Sequence, residues 1–246
     1  MNDAAELKAW RKSQRNTLIA RRAAVPAAEH RAWSAAITDA LVEGFPLLKS
    51  LSIGFYWPMQ GEFDTRFAIR RFRVGGAVAA LPVVVQKQAP LQFREWWPGV
   101  ATSKGVFDLP VPEGTRVVVP QAVLMPPVGF DSRGYRLGYG GGYFDRTLAS
   151  ITPQPLKIGV AFELSRIDTI HPQDYDIPMD FIVTEAGIHH VGAQGLQRLQ
   201  GPAQAAQLAA ELIARRHPSA SRTSPTCYGS ETGYWGNPAD PAGSKA

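Results

Sequence analysis

PVGFDSRGYRLGYGGGYFDR, residues 127–146, packs four glycines, Gly138, Gly140, Gly141 and Gly142, into five positions. Strand-like residues precede them, and a helical pattern over 143–150 follows. A glycine-rich turn feeding a helix N-terminus presents free backbone N–H groups and the positive end of the helix dipole. Phosphate binds such a turn because several donors converge with no bulky side chain in the way. Arg136 stands before the loop and Asp145 after it. The spacing is not that of a P-loop, since no Gly-Lys-Ser/Thr follows. It is not the dinucleotide fingerprint either, whose third glycine would fall at Tyr143.

Outward from this loop, short apolar runs at 51–57, 77–85, 116–120, 123–128, 157–162 and 180–184 read as strands. Several are near-continuously apolar, the pattern of strands covered on both faces. Helical candidates at 65–73 and 143–150 lie between some of them, so the spacing predicts an α/β layered domain. Two helices come first, over 3–22 and from Ala27 to a stop at Gly44, with Pro26 at the second start. In the first, Lys8, Arg11, Lys12 and Arg15 share one face, where like charges repel unless an anion is near.

The first strand runs into Trp57-Pro-Met59-Gln-Gly-Glu62. Ligands of open α/β sheets bind beyond the carboxyl ends of strands. There an aromatic ring, a thioether and a carboxylate can hold a flat heteroaromatic ring, the carboxylate accepting paired N–H donors. Phe93, Trp96, Trp97 and Phe107 either wall the same pocket or fill core. Downstream lie Asp174, Asp176 and Asp180. Two carboxylates near phosphate suit Mg²⁺, and Asp145 is one candidate, whereas Asp174 and Asp180 read as turn caps or solvent-facing groups. His171, His189 and His190 form no metal set, and no nucleophile triad is present.

The chain has 246 residues, 45% hydrophobic and 19% charged, with net charge +5 and a single cysteine, Cys227. That is enough apolar material to bury a core. One cysteine excludes a disulfide framework or a multi-cysteine metal site. No apolar run spans a membrane and no secretory signal leads the chain, so a cytoplasmic protein is expected. The positive charge suits nucleic acid, an acidic surface or a small polyanion, or serves only to keep the protein soluble. After about residue 190 the composition shifts. Residues 203–216 read as one Ala-rich helix, and from His217 onward aliphatics are too few to offset ordering entropy, so a disordered tail is expected.

The glycine-rich stretch resembles the signature of the 5-formyltetrahydrofolate cyclo-ligase family, roughly G-[FV]-D-x-x-G-x-R-L-G-x-G-G/K-G-[YF]-Y-D, departing from it at Phe144. Also similar are the basic first helix, Met59 to Glu62, Lys104 to Pro110, and Asp176 with Asp180. The resemblance covers about residues 8–187. It implies a single-domain three-layer α/β sandwich with a central mixed, mainly parallel sheet, like ribose-phosphate isomerases and CoA transferases. The catalytic domain would span 1–190, with 191–246 an extension. It further implies conversion of 5-formyltetrahydrofolate to 5,10-methenyltetrahydrofolate with ATP and Mg²⁺. Arg15 and Arg136 would bind nucleotide phosphates, with Lys8, Arg11 or Lys12 contributing. Leu137, Gly138, Tyr139, Gly140, Gly141, Gly142 and Tyr143 would line the nucleotide, and Arg136 with Gly140 to Tyr143 would serve the reaction itself. Trp57, Met59, Glu62, Phe107, Tyr139 and Tyr143 would hold the folate, polyglutamylated or not, and Asp145 and Asp176 the metal. A monomer with no nucleic-acid or membrane partner is expected. The rivals are a sugar-phosphate isomerase, which needs no ATP, and a nucleic-acid-binding module using the first helix.

Overall fold

Apolar periodicity and glycine placement resolve into seventeen regular elements in the computed structural model, which describes residues 4–218. The chain opens with α1 (Ala4–Ala23) and α2 (Ala27–Gly44), then β1 (Ser52–Gly54), α3 (Arg66–Val74), β2 (Val78–Val83) and β3 (Gln92–Glu95). A hairpin, β4 (Thr102–Lys104) and β5 (Pro110–Pro112), is followed by β6 (Ala122–Met125), a second small hairpin, β7 (Gly129–Phe130) and β8 (Arg136–Leu137), and α4 (Tyr143–Ser150). Then come β9 (Leu156–Val160), β10 (Phe181–Thr184), β11 (Gly187–Gly192), β12 (Gly195–Arg198) and α5 (Pro202–Arg216).

Eight strands form one sheet in the order β12-β11-β10-β9-β6-β1-β2-β3. The five in the middle, β10 to β2, run parallel, and they are the apolar runs of the sequence. Both faces of these strands are covered, which is why they are apolar throughout rather than alternating. On one face α2, α3 and α5 bury Ile37, Phe72 and Ile213 against Ile53, Leu124, Ile158 and Phe181. On the other, α4 and the β7–β8 hairpin bury Leu148 and Phe130 against Val123, Met125 and Ile182. Helix α1 lies outside that second layer, seating Leu18 on Val128, Leu137 and Ile170. Burying one such leucine contributes about 2 kcal/mol. The result is a mixed, mainly parallel three-layer sandwich.

Three expectations are corrected. Residues 116–120 make no strand, only an isolated bridge from Val117 to Arg94. They run along the sheet edge beside β3, with Val117 and Val119 exposed, and Pro120 has no N–H to extend a ladder. A domain boundary at residue 190 would cut β11. Residues 191–216 complete the sheet and add α5, whose Ala205, Ala209 and Ile213 enter the main core. Asp180 neither caps a turn nor meets solvent. It is buried, accepting from both Arg216 guanidinium nitrogens (2.6 and 2.8 Å) and pairing with Lys157 at 3.1 Å. The expected tail, with Cys227, falls almost entirely at 219–246, outside the described residues.

Candidate active site

The carboxyl ends of β1, β2 and β6 open onto a cavity of about 660 Å³. Its floor is the segment after β1, Tyr56 to Glu62, with Pro82 in β2, Val84 just after it and Pro126 after β6. The opposite wall is the glycine loop and the first residues of α4. The β4–β5 tip, Phe107 to Leu109, overhangs the mouth. Phe107 is 73% exposed, and it and Asp108 have positive φ (61° and 56°). Two successive non-glycine residues in that region carry backbone strain, and here the strain turns an aromatic ring over the opening.

The glycine-rich stretch is held by its own residues. Asp131 is fully buried, accepting N–H bonds from Arg133 and Tyr135 on one oxygen and from Ile170 on the other. It closes the β7–β8 turn and ties the hairpin to the segment before residue 171. Arg136, on β8, is buried, donating to Ile177 O (2.8 Å) and to Asp145 Oδ1 (2.7 Å). Burial lowers its pKa below the usual arginine value, opposed by the charges of Asp145 and Asp176. Gly140 and Gly142 have φ of 96° and 62°, accessible to glycine without steric penalty. The Arg15 guanidinium lies against Gly140, so a side chain there would meet it at 3.3 Å. Arg146 donates to Gly141 O, bracing the loop from α4. No side chain caps α4, so its first N–H groups remain available to a ligand at the cavity wall.

Glu62 is the carboxylate of the opposite side. It is buried, with Oε1 accepting from the Tyr139 hydroxyl (2.6 Å) and Oε2 from the Met59 N–H (2.9 Å). The turn that presents it uses positive φ at Gln60 and Gly61, closed by Glu62 N to Met59 O. Burial pushes its carboxyl pKa up, while the Tyr139 and Met59 hydrogen bonds and the Arg22 charge oppose that.

The predicted site residues divide cleanly. Trp57, Met59, Glu62, Phe107, Arg136, Gly138, Tyr139, Gly141, Gly142, Tyr143 and Asp145 all line the cavity. Leu137 instead packs under the loop, in the core with Leu18. Lys8 and Lys12 are exposed on α1, away from the cavity lining. Arg11 turns inward, donating to Ile170 O, His171 O and Asp176 Oδ2 (2.6 Å). Arg15 has no carboxylate partner among the described residues, and burial followed by the Arg11 charge lowers its pKa. Phe93 and Trp96 belong to the core, while Trp97 is partly exposed. The sequence reading missed Arg22, which is 4% exposed and bonded to this site. Its signal was positional: Arg11, Arg15, Leu18 and Arg22 recur at i, i+4, i+7 and i+11, one inward helical stripe.

Two hard oxygen groups near bound phosphate suffice for Mg²⁺, which keeps several waters. Among the described residues no cluster of three acidic, histidine or cysteine groups could hold a metal alone. Asp145 gives one oxygen, Oδ1, to Arg136 and the Ile177 N–H. Its other oxygen carries no hydrogen bond from the described residues, and the side chain lines the cavity. Asp176 likewise engages only Oδ2, with Arg11 and the Gln173 N–H. Asp145 thus offers Mg²⁺ a free oxygen at the cavity, where phosphate would share it, while Asp176 keeps one outside the lining.

The model of the 5-formyltetrahydrofolate cyclo-ligase family matches residues 7–185. Curated 5-formyltetrahydrofolate cyclo-ligases align with the chain. That of Escherichia coli K12 is 28% identical over 152 residues, 58% of this chain and 82% of the relative. That of Mycoplasma pneumoniae is 32% identical over 97 residues, 38% of this chain and 57% of the relative, so this alignment spans little more than half of that protein. The solved structure of an Aquifex aeolicus 5,10-methenyltetrahydrofolate synthetase superposes with a TM-score of 0.65 at 25% identity, covering 77% of this chain and 97% of that one. Since the family match runs from α1 past β10 and takes in every wall of the cavity, the chain belongs to the 5-formyltetrahydrofolate cyclo-ligase family.

Proposed function

We propose that this chain cyclises 5-formyltetrahydrofolate to 5,10-methenyltetrahydrofolate at the expense of ATP, releasing ADP and phosphate, as a cytoplasmic monomer. One observation carries this: a single cavity joins a buried carboxylate, Glu62, to an uncapped helix start behind a glycine loop flanked by Arg15 and Arg136. The first suits the N–H edge of a pterin and the second suits phosphate. The volume lies within the range of small-molecule sites.

The formyl oxygen is a poor leaving group. It attacks the γ-phosphoryl of ATP as the bond to ADP breaks, leaving a phosphate ester on an N5-iminium carbon. N10 adds to that carbon and loses its proton, and inorganic phosphate departs with the C–O electrons. No protein nucleophile is needed, in keeping with a site that has no triad. Positioning and charge compensation carry such chemistry. Arg15, Arg136 and the N–H groups of 138–143 offset the phosphate charge. Glu62 fixes the pterin edge, and Trp57, Met59, Phe107 and Tyr143 flank its ring. Asp145 and Asp176 would hold Mg²⁺, which neutralises developing charge on the phosphate oxygens.

The test is absorbance in the methenyl-folate band from 5-formyltetrahydrofolate, with and without ATP and Mg²⁺. The expected result is a signal only when all three are present. A protein giving no ATP-dependent signal overturns the proposal.

A further inference from the structure

Glu62 is a charged group in a place that disfavours charge. Its side chain is 2% exposed and sits on the apolar wall of the cavity, yet recognition of N–H donors requires the ionised form. The Tyr139 hydroxyl and the Met59 N–H oppose its burial, and the charge that joins them comes from a segment forty residues earlier. Arg22, near the end of α1, has a side chain only 4% exposed. Its Nε donates to Gln60 O (3.0 Å), within the turn that presents Glu62. Its Nη2 donates to the Tyr139 hydroxyl oxygen (2.9 Å), and that hydroxyl donates to Glu62 Oε1 (2.6 Å). The Nη2 to Oε1 distance is 3.8 Å, so guanidinium and carboxylate form an ion pair bridged by the phenol.

We propose that Arg22 is the positioning residue of the folate pocket, holding Glu62 ionised and aimed through the Tyr139 hydroxyl. This rests on the assignment of Glu62 to the folate. The planar guanidinium is suited to the task because one fork grips the turn backbone and the phenol at once. A buried carboxylate stripped of its cation takes up a proton instead of staying charged. The other groups facing Glu62 do not replace Arg22. Tyr56, after β1, spends its hydroxyl on Phe63 O. Asp64 is paired with Arg66. His30 of α2 meets Gly61 O at 3.1 Å. Tyr139 itself has a pKa raised by burial and by Glu62, so it stays a neutral donor. Among the described residues, Arg22 is thus the one arginine or lysine bonded into this network.

The experiment compares the full-length wild-type enzyme with Arg22→Met, Arg22→Lys and Tyr139→Phe in the methenyl absorbance assay. Folate and ATP are varied separately, from neutral to mildly acidic pH. Arg22→Met is expected to raise the KM for 5-formyltetrahydrofolate by about ten- to a hundredfold, the scale of a lost charged hydrogen bond, with the KM for ATP much less affected. The acid limb of kcat/KM for folate moves to higher pH, because Glu62 protonates more readily. Arg22→Lys restores the acid limb while recovering only part of the KM, since lysine keeps the charge and loses the fork. Tyr139→Phe removes only a hydroxyl from a half-exposed loop residue, so it folds even if Arg22→Met does not, and it shows the same folate-specific KM rise in smaller measure. Equal rises in both KM values, or a folate KM and acid limb unchanged in Tyr139→Phe and Arg22→Lys, overturn the positioning role while leaving the activity standing. A wild-type enzyme without ATP-dependent turnover instead overturns the functional proposal, and with it this one.

Discussion

Two sets of buried ion pairs lie at opposite ends of the parallel strands. At the amino ends of β9 and β10, Asp180 receives Lys157, both nitrogens of the Arg216 fork and the Lys157 N–H. At the cavity lie Arg136–Asp145 and Arg22–Tyr139–Glu62, with the Arg11–Asp176 pair outside its lining but near Arg136. The first cluster is saturated, with both Asp180 oxygens engaged. The second leaves an oxygen of Asp145 and one of Asp176 unused and Arg15 without a carboxylate. Arginine and carboxylate thus serve architecture in one place and a site in the other. What separates them is spare bonding capacity facing a cavity, not the residue types.

The contrast is broken most severely at the saturated end. Asp180→Ala leaves the buried Lys157 and the half-buried Arg216 without their counter-charge, and loss of one partner from a buried pair costs about 3–5 kcal/mol. Urea unfolding should register that loss, with folate and ATP KM values of the folded enzyme retained. If Asp180→Ala instead raises either KM while stability holds, the two ends are not functionally distinct.

At the cavity the order reverses. Glu62→Ala should raise the folate KM by about ten- to a hundredfold, since it removes a charged acceptor, and change the ATP KM little. Steady-state kinetics in both substrates check it, and equal effects make Glu62 architectural. Asp145→Asn should lower turnover and raise the Mg²⁺ needed for half-maximal rate by about tenfold, the lower end for altered metal-site groups. A magnesium titration with an unchanged midpoint removes Asp145 from the metal site.

The mildest effect is on pH. Burial alone would raise the Asp180 carboxyl, but Arg216 and Lys157 outweigh it and the net pKa is lowered. A carboxyl lower in the folded than the unfolded state stabilises the fold above the ordinary carboxylate pKa, about 3.9. That contribution disappears as pH falls through the lowered value. Wild-type stability should therefore decline on acidification with a component that Asp180→Ala lacks, measured by denaturation at stepped pH. Matching slopes in the two proteins exclude it.

Much of the architecture was legible because burial on both faces writes a continuous apolar run. All five parallel strands and all five helices announce themselves that way or through Pro26, Gly44 and helical spacing. What escaped lacks such a run. Strand β11 carries His189 and His190 in Gly-Ile-His-His-Val-Gly, β12 reads Gly-Leu-Gln-Arg, and β7–β8 is two residues a side around Asp131 and Gly134. These are antiparallel or edge pairings, whose partners and turns, not their composition, hold them. The cavity-lining residues of the glycine loop and of Trp57 to Glu62 were largely legible because loop chemistry is local, whereas Pro82, Val84, Leu91 and Pro126 come from strand ends and loops that carry no such chemistry. Arg22 was not, since in sequence it looks the same as its exposed neighbour Arg21, and only rotation about α1 separates the two. Lys8 and Lys12 erred the other way, sharing a basic face whose outer edge meets solvent.

Helix α1 reaches both walls of the cavity, Arg22 at the Glu62 carboxylate and Arg15 at the glycine loop, with Arg11 on the same stripe paired to Asp176. Eleven residues of helix separate Arg11 from Arg22, a span of about 16 Å. In the proposed reaction the helix acts as a ruler that sets the distance between the anchors of the two substrates. A single residue inserted between Arg15 and Arg22 would lengthen it by only about 1.5 Å, yet would swing Arg22 by roughly 100° off the cavity. Register along one helix, more than any individual contact, is what keeps Arg15 at the glycine loop and Arg22 at the Glu62 turn.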